Sequence, residues 1–191
     1  MSTFNKSDVP FGIYKKRIDF YTRTSPFELS YQRIIESLLE TILENTGIEV
    51  IVSDRFARNG TQRHLVNAYK EKGTVSPDLI LAKKFSYLNT PDAQYIAFVE
   101  VKQPQHIKLN QDQNIVLNSH DSKQLAGYLA YQKIHKLIFT DCHIWAFYHN
   151  KTDEAIEKFD LRDALLNSVL PDEPEEWLRL QKYIREFLMD N

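Results

Sequence analysis

Apolar residues along the chain follow two different periods. After Ser25-Pro26-Phe27-Glu28, the residues Tyr31, Ile34, Ile35, Leu38, Leu39 and Ile42 recur at three- and four-residue intervals, the spacing of one helix face. Ser25 can cap this helix, Pro26 suits its first position and Glu28 completes a capping box. Gly47 closes it, and residues 48–52 (Ile-Glu-Val-Ile-Val) read as a strand. Residues 54–76 are polar and basic and predict an ordered loop with a short helix around 62–70. Residues 78–82 and 95–102 are strand candidates on either side of the turn cluster Asn89-Thr90-Pro91-Asp92, so together they predict a hairpin. Asp121-Ser122 can open a second helix carrying Gln124, Leu125, Tyr128, Leu129 and Gln132. Residues 137–140 and 144–148 read as two strands about a short turn at Asp141-Cys142-His143. Beyond Pro171 and Pro174, Trp177, Leu180, Tyr183, Ile184, Phe187 and Leu188 mark an amphipathic helix. The order α-β-β-β-α-β-β, followed by helices, predicts an α/β fold with a mixed central sheet flanked by helices.

Composition narrows the function classes. The 191 residues carry 24 Lys and Arg against 26 Asp and Glu, a formal net charge of −2. That balance excludes a polycation that holds nucleic acid by bulk charge. The charge is unevenly spread, however. Residues 1–150 hold 18 basic and 15 acidic side chains, whereas residues 151–191 hold 6 and 11. The first part is therefore +3 and the second −5. This divides the chain into a 1–150 domain and an acidic, helical C-terminal extension over 151–191, expected to pack on the same domain. The single cysteine, Cys142, excludes an internal disulfide and a zinc ribbon. No apolar run is long enough to span a bilayer, and residues 1–10 lack a signal-peptide core, so a cytoplasmic protein with no membrane partner is expected. There are only 5 glycines and no Walker or dinucleotide pattern.

The chemistry-bearing feature is a strand interrupted by charge. Glu100 and Lys102 break the run Ala97-Phe98-Val99-Glu100-Val101-Lys102, and being two apart they project from one strand face. Taken alone, this pattern also suits the solvated face of an edge strand. Asp78 begins the partner strand, and folding the hairpin about Thr90-Pro91 sets it opposite a position near Gln103, close to both. Two neighbouring carboxylates repel unless one protonates or a cation joins them. Hard oxygen donors with retained waters suit Mg²⁺ or Mn²⁺. A lysine beside the metal can orient or deprotonate the attacking water, or neutralise charge on phosphate oxygens. The chemistry implied is metal-assisted phosphodiester hydrolysis. Lys15-Lys16-Arg17 and the 55–72 loop, with Arg55, Arg58 and Arg63, are the candidate DNA-binding clusters.

Pro77-Asp78 followed by Glu100-Val101-Lys102 resembles the PD-(D/E)xK, or restriction-endonuclease-like, nuclease superfamily. Gln124 and Tyr128 form the Gln-x-x-x-Tyr pattern that supports the site in some branches. Residues 137–148 resemble the end of the nuclease domain of type I restriction-enzyme motor subunits, with Cys142 where glycine is usual. The resemblance covers roughly residues 25–150. It implies an αβββαβ core with a C-terminal helical extension and a metal-dependent deoxyribonuclease in a restriction or phage-defence setting. It also implies metal ligation by Asp78, Glu100 and the Val101 carbonyl, with Lys102 acting on the nucleophile. Gln124, Tyr128 and a first-helix glutamate would assist. Glu28 shares the stripe of Tyr31, Ile35, Leu39 and Ile42 whereas Glu36 falls off it, which favours Glu28 for that role. No helicase motor is present, which leaves a translocating restriction partner subunit and a self-contained enzyme both open, in either case with oligomeric state unspecified. The competing reading is a catalytically inactive DNA-binding or assembly module that keeps the fold.

Overall fold

The computed structural model describes residues 8–53, 77–85, 93–130, 134–149, 152, 154–167 and 173–190. Two helices come first, α1 (Phe11–Thr24) and α2 (Glu28–Ile42), then strands β1 (Ile48–Val52), β2 (Leu79–Lys83) and β3 (Gln94–Val101). A small hairpin, β4 (Lys108–Leu109) and β5 (Ile115–Val116), precedes helix α3 (Ser119–Leu129). Strands β6 (Lys136–Thr140), β7 (Ile144–His149) and β8 (Glu157–Asp160) follow, then helices α4 (Arg162–Leu166) and α5 (Glu175–Met189). The central sheet has six strands among the described residues, in the order β1-β2-β3-β6-β7-β8. Among the described residues β3 and β6 are the one parallel pair, so the sheet is mixed, as the order of elements predicts.

Strand alternation divides the interior into two cores. Leu79, Leu81, Ala97, Val99, Val101 and Ile138 face α1, α2 and α5. Ile80, Ala82, Phe98, Leu137 and Phe139 face the opposite way, where α3 supplies Leu125 and Tyr128. Phe98 of β3 therefore points to α3, and Glu100, two residues on, continues that row. The turn between β6 and β7 holds Cys142 at φ 68°, a left-handed backbone that glycine adopts most freely. Its thiol is nonetheless buried, and Asp141 braces the turn by accepting from the backbone N–H groups of His143, Ile144 and Ile107.

Several expectations need correction. Helix α2 starts at Glu28 with Phe27 in the cap position and no side-chain cap, so Ser25, Pro26 and Glu28 form no capping box. Ser25 instead lies 3.2 Å from Ser30, hydroxyl to hydroxyl. Helix α1, whose buried stripe is Phe11, Tyr14 and Ile18, was not anticipated. Helix α3 begins at Ser119, because Asn118 accepts from the N–H groups of His120 and Asp121. The hairpin register differs as well. Leu79 pairs with Val99 and a bulge lies between Leu81 and Ala82, so Asp78 comes beside Glu100 and Val101 and not beside Gln103. The expected turn at Asn89–Asp92 and the loop of Arg55, Arg58 and Arg63 lie outside the described residues.

The 151–191 extension is helical only in part. It supplies β8, the sixth strand, which pairs with β7. Its last helix buries Trp177, which stacks on Tyr14 at 4.5 Å between ring centroids and meets Phe11 edge-on at 5.6 Å. The indole N–H donates to the Val9 carbonyl at 2.7 Å. No helix among the described residues is long and apolar enough to cross a membrane. Replacing Trp177 with Ala is expected to destabilise the protein by about 3–5 kcal/mol, the usual effect of emptying an aromatic core site. Urea unfolding measures this, and a loss below about 1 kcal/mol would show the tail to be dispensable to the core.

Candidate active site

Three chain segments meet where β2 begins and β3 ends. Asp78 Oδ2 accepts from the Val101 backbone N–H at 2.7 Å. This bond ties the first carboxylate to the strand that carries the second. Gln32 of α2 donates from its side-chain amide to the Asp78 carbonyl at 3.1 Å, so the helix and the strand start are joined through backbone. Lys102 continues past β3, its N–H donating to the Thr140 carbonyl at 2.7 Å, which extends the parallel pairing with β6 by one more bond. Glu100 and Lys102 are 3% and 6% exposed, so they are interior residues and not a solvated strand face.

Their burial is matched by partners. The Lys102 ammonium donates to Glu100 Oε1 at 2.6 Å and to Gln124 Oε1 at 3.2 Å. The Gln124 amide donates to the same Glu100 oxygen at 2.6 Å, and the Tyr128 hydroxyl donates to Glu100 Oε2 at 2.8 Å. Gln124 and Tyr128 occupy one face of α3 because four residues make about one helical turn. The face they share rests on the sheet, with the Tyr128 ring 5.6 Å from that of Phe98. The structure thus brings together Asp78, Glu100, Val101, Lys102, Gln124 and Tyr128.

Electrostatics here is dominated by burial. Burial, then the charge of Glu100, push the Asp78 carboxyl up from 3.8 to about 8, and Glu28 adds to the push. Burial also raises Glu100, against the opposing pull of Lys102 and Tyr128. Burial acts to lower Lys102, but the charge and hydrogen bond of Glu100, with Glu28 and Asp78 behind them, raise it on balance. Lys102 is therefore an ammonium, suited to donating hydrogen bonds and neutralising charge and unsuited to accepting a proton. Burial and then Glu100 raise Tyr128 far out of the physiological range, so it acts as a neutral donor.

Glu28 stands in the first turn of α2 and is exposed. Its charge acts on Asp78, Glu100 and Lys102, which places it at the rim of the cluster. Among the described residues, no three His, Cys, Asp or Glu side chains form a metal-holding group, so Glu28 does not complete a three-side-chain ligand set. Glu36 is half-buried two turns further along α2. Lys15 is committed elsewhere: its ammonium pairs with Asp19 at 3.2 Å and donates to the Leu165 carbonyl. Arg17 donates to the Ser37 hydroxyl at 2.8 Å, and Lys16 is exposed. Gln32 was not foreseen as part of the site, although its position four residues after Glu28 is a signal, since both then lie on one helix face.

No protein-family model matches the chain, and no curated protein matches it. Among solved structures, a chain in the cryo-EM structure of a DrdV–DNA complex is similar, with 18% identity and a TM-score of 0.54. The likeness covers 93% of this chain and 95% of that one, and at this identity it is a likeness of fold.

Proposed function

We propose that the protein is a metal-dependent endonuclease that hydrolyses DNA phosphodiester bonds, in a restriction or phage-defence setting. The observation that carries this reading is the cluster of Asp78, Glu100 and Lys102 at adjoining strand ends, with Gln124 and Tyr128 holding Glu100 in place. The DNA in the DrdV complex supports DNA as the substrate. The donor chemistry fits Mg²⁺ or Mn²⁺. Both carboxylates offer hard oxygen, and burial, the largest cause of their raised proton affinities, disfavours charged forms that a divalent cation would stabilise. Asp78, Glu100 and the Val101 carbonyl would hold the ion, which supplies Lewis-acid neutralisation at the phosphate.

The chain's own residues do the rest. Lys102 donates from its ammonium toward the attacking water or a phosphate oxygen, stabilising charge as it builds. Gln124 joins Glu100 and Lys102 by hydrogen bonds to both, and Tyr128 fixes the second oxygen of Glu100. Glu28 at the rim can accept a hydrogen bond from water. The Lys102 ion pair keeps one positive charge in the site before substrate arrives.

One observation favours a second reading, in which the fold binds DNA or a partner without cutting. Both Glu100 oxygens already accept from within the chain, and Lys102 is closely paired with Glu100. Incubating supercoiled plasmid with Mg²⁺ or Mn²⁺ separates the two. The wild-type protein is expected to nick or linearise the plasmid, EDTA to stop it, and Asp78→Ala and Lys102→Ala each to slow it at least about a hundredfold. Equal nicking by wild type and variants would assign the activity to a contaminant. Absence of cleavage with retained duplex binding would favour the non-cutting module.

Stability gives an independent test of the metal site. Folded Asp78 keeps its proton up to about pH 8, whereas the unfolded chain releases it near the ordinary value of 3.8. Its contribution to stability is therefore whole below about pH 4 and is lost as pH rises through 8. In EDTA, Asp78→Asn is expected to raise the melting midpoint by several degrees at pH 8 and to leave it nearly unchanged at pH 4. Mg²⁺ at pH 8 is expected to stabilise the wild type and not the variant. Equal midpoints at pH 8 in EDTA would show that Asp78 is not under charge stress.

A further inference from the structure

Asp121 is 2% exposed yet takes no part in the cluster just described. It lies in the first turn of α3, three residues before Gln124. Its Oδ2 accepts from the Asn118 side-chain amide at 2.8 Å and lies 2.6 Å from Nε2 of His106. A buried carboxylate is unfavourable unless its partner is well placed. Here the partner is a histidine whose side chain is 34% exposed, on the loop that leaves β3 after Lys102. A solvated loop histidine needs no buried anchor. What the anchor does is fix the ring: Nε2 faces the protein, and Nδ1 lies on the other edge, where it makes no hydrogen bond to any described residue.

Position gives the fixed ring a use. Both halves of the pair are joined by short covalent paths to the cluster, His106 to Lys102 through the loop and Asp121 to Gln124 through the helix. Asp121 and Gln124, three residues apart, are neighbours on one helix face. Gln124 touches Lys102 and Asp121 touches His106, which sets His106 about one helical turn from the cluster, in reach of a phosphate next to one held at Lys102. Lys108 and Lys123 are exposed nearby in sequence.

We propose that His106, anchored by Asp121, is a DNA-binding residue that grips a backbone phosphate adjacent to the one cleaved. In the doubly protonated ring, Nε2–H is taken by Asp121 and Nδ1–H is donated to a non-bridging phosphate oxygen. Asp121 is a positioning residue that acts through His106. This inference rests on the nuclease reading and adds to it a contact outside the reacting atoms.

The test uses the full chain and a duplex containing a cleavage position mapped with the wild-type protein. With Ca²⁺ in place of Mg²⁺, His106→Ala is expected to weaken duplex binding about tenfold or more, the usual effect of losing a hydrogen bond to a charged group. Asp121→Asn should weaken it less. Because His106→Ala leaves the buried Asp121 carboxylate without its ring partner, its melting midpoint is expected to fall, and binding is compared at a temperature where both proteins are folded. Neutral methylphosphonates are then placed one at a time along the cleaved strand. For the wild type, one substitution beside the cleaved phosphate should weaken binding, and for His106→Ala that same substitution should have no further effect. Unchanged affinity in His106→Ala, or losses that add at every position, would reduce the pair to a loop clamp and overturn the proposal while leaving the nuclease reading intact. A wild-type protein that neither binds nor cleaves DNA would overturn both.

Discussion

Placing Glu100 and Lys102 on one buried strand face commits the rest of the molecule to answering them. A carboxylate and an ammonium cannot be drawn out of water singly, and even as a pair they leave lone pairs and N–H groups to satisfy. Helix α3 meets that demand: its Gln124 serves both partners and its Tyr128 serves the second carboxylate oxygen. The helix must therefore sit over the end of β3 and nowhere else, and its apolar residues Leu125 and Tyr128 fill the core beside it. Asp78 then adds a second, half-buried carboxylate beside the first. The fold holds it there through the Val101 N–H and through Gln32, which grips the Asp78 backbone.

The sheet explains why this end of β3 is available. β3 pairs antiparallel with β2 and parallel with β6. The parallel step needs a crossover, and that crossover carries α3 across one face before returning to β6. The start of β2, the end of β3 and the buried face of α3 converge at the strand ends, where backbone pairing stops and side chains can meet. Lys102 is held by one further bond to Thr140, so it is extended and oriented without lying within a full ladder.

Much of this was legible from residue pattern, and the gaps have physical causes. A Glu-x-Lys pair within an apolar run is informative because burial of charge requires a reason, and Gln-x-x-x-Tyr is informative because helical spacing alone puts both on one face. The register of the hairpin was not legible, since symmetry about Thr90-Pro91 takes no account of a bulge at Leu81–Ala82. Helix α1 was hidden because Lys15-Lys16-Arg17 draws the eye as a basic cluster, although Phe11, Tyr14 and Ile18 trace the buried stripe around it. In the fold, Lys15 and Arg17 are spent on Asp19, Leu165 and Ser37. Gln32 and the His106–Asp121 pair were invisible for a different reason. Each gains its meaning from a partner distant in sequence, which no local period reports.

The crossover from β3 to β6 has a consequence for how such a protein can diversify. The groups that hold charge sit at strand ends and on one face of α3, where a one-residue shift would misplace them. The β4–β5 hairpin, by contrast, belongs to a separate two-stranded ladder and shares no strand pairing with the main sheet. Loop-closure entropy rises only slowly with length, so the exposed turn at residues 110–114 can lengthen or change composition at little thermodynamic penalty, whereas Leu109 and Ile115 pack on the core. The same architecture can thus keep its reaction chemistry constant while this turn drifts, and related chains would be expected to differ most between Asn110 and Asn114.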